Sequence, residues 1–362
     1  MTDSVKYQLC YTPESFDYAM SILSRASFLI LDCEGNNLGR ANGGISLICV
    51  GTPLAEHVFI IDCLSPSLTG SHLSRLWALF RDRRIIKVVW DGRMDYLEIW
   101  STYGVALEGV LDLQVAEVVS RFTMRGEGES NRLDRLTRGW FSRTAVFNYN
   151  WQYTGLNALT GLQKCCEESG FGEDFAKDPE VTKMHKSNQS SLWLKRPLPA
   201  NLLAYAAKDI ELISTLCTSF IQKGWIPADP TAYYTLLRQC ARYVSAHREQ
   251  GRSREDDPFR PTGIMPLDVL NEPEGPLTQC VGCRRGLSLV CFQTTADEIY
   301  QWRRPRCSLC HALAMKNRVD ADTRWFLVPP EQKIQMGSPP GLPPLAAATA
   351  STSTPLVTAT GY

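Results

Sequence analysis

The sequence predicts an α/β fold built on a mixed sheet, and three observations carry that expectation. Three short apolar runs, SFLILDCEG, GGISLICVG and EHVFIIDCL, follow one another between turn residues, as the strands of an antiparallel meander do. Strands and helices then alternate, which calls for crossover connections and parallel pairing. Composition agrees, since 44% hydrophobic and 21% charged residues in a 362-residue chain suffice for a sizeable core.

The elements follow in order. Tyr11 to Ala26 shows helix-period apolar positions and makes residues 1–26 a helical lead-in. After the meander come a helix at SHLSRLWALFRD, a strand at IIKVVWD, a helix at MDYLEIWSTYG, and a strand running into a helix at GVLDLQVAEVV. Phe122 to Trp151 has no convincing period and is expected to be an irregular insertion. Helices return at GLNALTGLQKCCEESGF, at the amphipathic NLLAYAAKDIELISTLCTSFIQKG, and over about Pro230 to Glu249. The main domain is thus expected over 27–250. A charged, Pro-containing linker follows at 251–278, then a small Cys-bearing module at 279–318. A tail over 319–362 ends in the uncharged GSPPGLPPLAAATASTSTPLVTATGY and is expected to be mostly disordered.

Lys plus Arg and Asp plus Glu both total 38, so no global positive charge advertises nucleic acid, although a local basic groove is compatible with that balance. Thirteen cysteines without a secretory signal point to a reducing, intracellular compartment, nucleus or cytoplasm. No apolar run reaches the roughly 18 residues of a membrane span, so no membrane partner is expected.

Asp32 and Glu34 lie two apart on a predicted buried strand, so their side chains share one face. Unpaired buried carboxylates are costly, and a hard divalent cation such as Mg²⁺ or Mn²⁺ resolves the cost. The plainer alternative is a polar turn after Leu31. Asp91 and Asp95 both follow the strand IIKVVW, and position alone does not separate them; Asp91 suits a helix cap. Tyr205 and Asp209 are four apart on one helix face, beside the apolar stripe of Leu202, Leu203, Ala206 and Ile210.

Asp-x-Glu on a first strand, an Asp after a later strand and Tyr-x-x-x-Asp on a late helix together resemble the three motifs of the DEDDy 3′–5′ exonucleases, the RNase D and Werner exonuclease class. The segment WLKRPLPANLLAYAAKD extends the likeness, which spans Ser27 to Gln222. The meander-then-crossover outline is likewise similar to the ribonuclease-H-like fold of that class. The resemblance implies that Asp32, Glu34, Asp95 and Asp209 hold two Mg²⁺ or Mn²⁺ ions and that Tyr205 orients the attacking water. It aligns WDGRMD with Asp95, not Asp91, in the ligand position. It implies hydrolysis of RNA or single-stranded DNA from the 3′ end. Asp112 matches a frequently acidic position and is read as structural. Trp90 and Trp193 are read as core, and Arg93, Arg196 and Lys208 as solvated or ion-paired. The alternative is an inactive, RNA-binding adaptor resembling the Egalitarian lineage, which commonly loses these carboxylates.

Cys280, Cys283, Cys307 and Cys310 form two CxxC pairs, slightly further apart than the usual spacing of about 15–20 residues for a zinc site. Each pair is expected to turn as a knuckle on one structural Zn²⁺, with LSLVCFQ and EIYQWRR as the hairpin of a zinc ribbon. Cys291 and His311 are spare candidates, and the other cysteines read as small core residues. Arg284, Arg285, Arg303, Arg304 and Arg306, with Trp302, make the module suited to nucleic acid or to a protein partner.

Overall fold

The computed structural model describes residues 6–171, 181, 183, 190–297, 299–319 and 324–329. A six-stranded mixed sheet forms the centre, ordered β1-β4-β3-β2-β5-β6. The strands are β1 (Tyr7–Cys10), β2 (Phe28–Asn36), β3 (Gly44–Gly51), β4 (Val58–Asp62), β5 (Ile86–Val89) and β6 (Val110–Asp112). β2, β3 and β4 pair antiparallel as the meander predicts, while β5 joins β2 and β6 joins β5 in parallel. Burial on both sheet faces explains why these strands read as continuous apolar runs rather than alternating ones. This is the mixed, ribonuclease-H-like α/β sheet expected from the sequence.

Residues 1–26 are more than a helical lead-in. Tyr7–Cys10 pairs in parallel with β4 at the sheet edge. Its sequence, YQLC, is too short and mixed to announce a strand. Helix α1 (Pro13–Leu23) follows, fixed by a capping box between Thr12 and Ser15, and buries Phe16, Ala19, Met20 and Leu23. Helices α2 (Gly70–Arg81), α3 (Arg93–Tyr103) and α4 (Leu113–Thr123) complete the crossover part.

The expected irregular stretch, Phe122 to Trp151, is instead helical. It contains α5 (Glu129–Thr137) and α6 (Arg143–Asn148), then a short 3-10 turn over Asn150–Tyr153. Helix α7 (Leu162–Glu168) leads toward α8 (Ala200–Gln222) and α9 (Pro230–Val244). α8 lays Leu203, Ala206, Ile210, Ile213 and Cys217 on the sheet. Each fully buried Leu or Ile contributes roughly 1.5–3 kcal/mol of transfer free energy. Gly51 permits the close approach: a Cβ there would stand 2.5 Å from Ile210 Cγ2.

Residues 251–278 run across the main domain in close contact with it. Ala41 N–H donates to the Ser253 carbonyl (2.7 Å), Met265 N–H to the Asn157 carbonyl (2.9 Å), and Arg93 to the Thr262 carbonyl (2.6 Å). The cysteine-bearing module has β7 (Thr278–Gln279) paired with β8 (Gly286–Leu287), and β9 (Phe292–Ala296) paired with β10 (Gln301–Cys307). It ends in α10 (Ser308–Asn317). Within the expected tail, Phe326–Leu327 forms β11 against β10, with both side chains exposed; the uncharged end of the tail lies outside the described residues. Among the described residues no helix is long and apolar enough to cross a membrane.

Candidate active site and tetrathiolate centre

β2 sets the acidic site. Asp32 and Glu34 project from the same face, Asp32 half-buried and Glu34 buried, opposite Cys49 and Leu47 of β3. Immediately after Glu34 the ladder shifts register, a β-bulge of the kind that re-aims side chains beside functional sites. Gly35 is required there, because a Cβ would lie 2.2 Å from the Gly44 carbonyl oxygen. α8 delivers Asp209, buried on the helix face that meets the sheet. Asp32, Glu34 and Asp209 each present a ligand oxygen within 4.8 Å of the other two. Asp95 is not one of that close trio. It sits in the first turn of α3, buried, with its carboxyl held well above the usual range. Burial is the main cause, and Asp32 is the leading charged neighbour, ahead of Asp91 and Asp112.

Asp91 is committed elsewhere. Its carboxylate takes two hydrogen bonds from Arg93, at 2.6 and 2.8 Å, and one from the Tyr243 hydroxyl at 3.1 Å. Gly92, not Asp91, occupies the cap of α3. Asp112 is structural, accepting from Gly92 N–H (2.9 Å), Asp91 N–H (3.3 Å) and Gln114 N–H (2.9 Å), so it ties the starts of α3 and α4 together. Burial, then Asp91, pushes its carboxyl up to about 7 against those backbone hydrogen bonds.

Tyr205 lies one helical turn before Asp209, half-buried, with its ring 6.4 Å from that of Trp193. Trp193 is fully buried, and its carbonyl accepts from Ser46 Oγ (2.5 Å) and Arg196 Nη1 (2.9 Å). Arg196 also grips Asp62 at 2.7 and 2.6 Å, which leaves it a clamp between β4 and the segment before α8. Lys208 pairs with Glu211 at 2.7 Å, and Trp90 is core. Sequence reasoning missed the Arg196–Asp62–Ser46 clamp, whose members lie about 130–150 positions apart. It also missed Ser190, whose hydroxyl lies 2.9 Å from both Asn36 and Asn37 side-chain oxygens just beyond Glu34.

The donor set fits hard divalent cations. It is oxygen-only, anionic and crowded, and Asp95 in particular is a desolvated carboxyl that a nearby cation would relieve. Neighbouring thiols do not compete: burial raises Cys33 and Cys49 well above their usual value, and the surrounding carboxylates add to it.

Cys280, Cys283, Cys307 and Cys310 bring four buried sulfurs within 4.8 Å of one another. A tetrahedral Zn²⁺ with bonds of about 2.3 Å requires sulfur separations of about 3.8 Å, so the set fits one such ion. Gly282 makes the approach feasible, since a Cβ there would lie 2.8 Å from Cys310 Cβ. Hydrogen bonds from the Cys283, Cys307 and Cys310 thiols hold Cys280 far below its ordinary value, toward the thiolate a metal needs. Cys307 N–H points at Cys280 Sγ from 3.2 Å. The expected pair of knuckles is half right. Cys280 and Cys283 form one, but Cys307 and Cys310 open α10, whose N-terminus favours thiolates. Cys291 instead bonds Asp268 at 3.0 Å, and neither it nor His311 joins the four sulfurs.

Residues 7–163 match a family model described as 3′–5′ exonuclease. Among solved structures, Trypanosoma brucei RNase D is 25% identical, with 70% of this chain and 76% of that chain covered at a TM-score of 0.52. Trypanosoma brucei RNase D in complex with RNA U12 is 23% identical, covering 78% and 84% at a TM-score of 0.52, a likeness of fold. No curated protein matches the chain. With the acidic trio carried by β2 and α8, these findings place a 3′–5′ exonuclease domain in the chain and support a hydrolytic exonuclease of the DEDD type.

Proposed function

We propose that this exonuclease removes nucleotides one at a time from the 3′ end of single-stranded RNA or DNA. The observation that carries this reading is the convergence of Asp32, Glu34 and Asp209 within 4.8 Å, with Asp95 beside Asp32. In this account the four carboxylates hold two Mg²⁺ or Mn²⁺ ions. When bound, the ions supply charge neutralisation for the scissile phosphate and activation of water. The chain's own residues do the rest. Tyr205, on the same helix face as Asp209, orients the attacking water through its phenol. Gly51 lets α8 approach the sheet closely and so hold Asp209 against it. The sulfur set holds Zn²⁺ as a structural ion. Support for a nucleic-acid substrate comes from the RNase D of Trypanosoma brucei, which was solved with RNA U12.

The test uses 5′-labelled single-stranded RNA and DNA with Mg²⁺ or Mn²⁺, beside the Asp32→Ala/Glu34→Ala double variant. Wild type should shorten the label in a ladder and the variant should leave it intact. Binding without shortening in wild type would favour an inactive adaptor instead.

A further inference from the structure

The described residues contain two separate hydrophobic cores, and the four sulfurs lie in the second, not beside it. That second core is shared. It takes Leu136, Val146 and Leu156 from residues 129–158, an insertion that reaches past the stretch expected to be irregular, Ile264 from the crossing segment, and Leu309 and Leu313 from α10. Trp140 of the insertion packs against Gly263, where a Cβ would stand 1.8 Å from the ring. Lys316 of α10 lies 5.2 Å from the same ring. Helices α5 and α6, of 9 and 6 residues, are too short to persist without such packing.

The knuckle reaches β10 through Val281 N–H to the Pro305 carbonyl, 3.1 Å, and reaches α10 through the sulfurs. The far end of the insertion is anchored differently. Arg121 donates to the Ala158 carbonyl (2.7 Å) and Gln114 to the Thr160 carbonyl (2.7 Å), both from α4 within the exonuclease domain.

We infer that the tetrathiolate site is the keystone of this second core, so that metal occupancy there sets whether residues 129–156 stay folded against the exonuclease domain. The inference rests on reading the four cysteines as a metal site. Metal on the sulfurs fixes the knuckle to the start of α10, α10 fixes Leu309 and Leu313, and these hold the insertion. Coupling of this kind is reciprocal, so loosening the insertion must also ease metal release.

The experiment is hydrogen exchange on the full chain, as purified and in the Cys283→Ser and Cys310→Ser variants, with zinc content measured in each. Peptides from 129–156 should exchange at least about tenfold faster in the variants, together with 279–318, while β2, β3 and residues 158–160 keep their protection. The second arm is Leu156→Ala, which leaves every sulfur in place and should speed zinc transfer to a chromogenic chelator several-fold. Protection retained across 129–156 in zinc-free variants, or an unchanged release rate in Leu156→Ala, would overturn the coupling alone. Loss of protection through β2 and β3 would overturn the separation of the cores. A wild-type chain purified without metal on the sulfurs would overturn the metal reading and the coupling with it.

Discussion

Replacing Asp32 with Asn should inactivate the enzyme and, in magnesium-free buffer, make it more stable. Asp32, Glu34 and Asp209 present oxygens within 4.8 Å of one another, so before solvent screening each like-charge pair costs about 3.5 kcal/mol or more at an effective dielectric of about 20. Asp32 is half-exposed, and water screens part of this, which leaves a net relief of about 1–3 kcal/mol on neutralisation. For a chain of this size that corresponds to a rise in Tm of roughly 1–4 °C. Wild type should recover the difference when Mg²⁺ is added, by about 2.7 kcal/mol at a hundredfold excess over Kd, and Asp32→Asn should respond much less. Differential scanning fluorimetry across a Mg²⁺ titration, with zinc retained, measures both quantities. A variant that is less stable than wild type without Mg²⁺, or a wild type indifferent to Mg²⁺, would refute the reasoning that these carboxylates form an ion site.

Three further outcomes are expected. Tyr205→Phe should lower kcat about 10–100-fold with the Mg²⁺-dependent Tm shift unchanged, since in the proposed site the phenol orients water and holds no ion; steady-state kinetics beside the thermal titration check this. Arg121→Met should cost about 3 kcal/mol in denaturant unfolding, since it strands the buried Glu117 carboxylate with Arg125 alone, 2.6 Å away. Asp112 titrates near 7 when folded but near 4 when unfolded, so its contribution is fully present below about pH 4 and is lost as pH rises through 7. Asp112→Asn should therefore flatten the decline of stability, on the order of 1 kcal/mol per pH unit between about pH 5 and 7, seen in wild-type urea unfolding.

Much of the site was legible because it obeys local periodicities. Asp32 and Glu34 share a strand face, Tyr205 and Asp209 share a helix face, and both pairs stand where those periods place them. Choosing Asp95 over Asp91 needed the family resemblance, because the physical reason is remote in sequence: Tyr243, about 150 positions later, and Arg93 bind Asp91. The insertion was illegible for a similar reason. ESNRLDRLT offers only Leu133 and Leu136 as buried apolar side chains, and what holds them is a core completed by Ile264, Leu309 and Leu313. β1 is held by pairing with β4 and not by its own pattern. The start of α10 departs from a second knuckle because HALAMK is rich in good helix formers, and a helix N-terminus serves two thiolates as well as a knuckle does.

The central claim is hydrolysis from the 3′ end at these carboxylates, and the fate of a 3′-terminal radiolabel tests it most directly. With Mg²⁺ or Mn²⁺, the account predicts that wild type releases the label as a mononucleotide from the earliest time point, and that Asp32→Ala/Glu34→Ala releases none. Label retained on the oligonucleotide, or set free in fragments several nucleotides long, would contradict it.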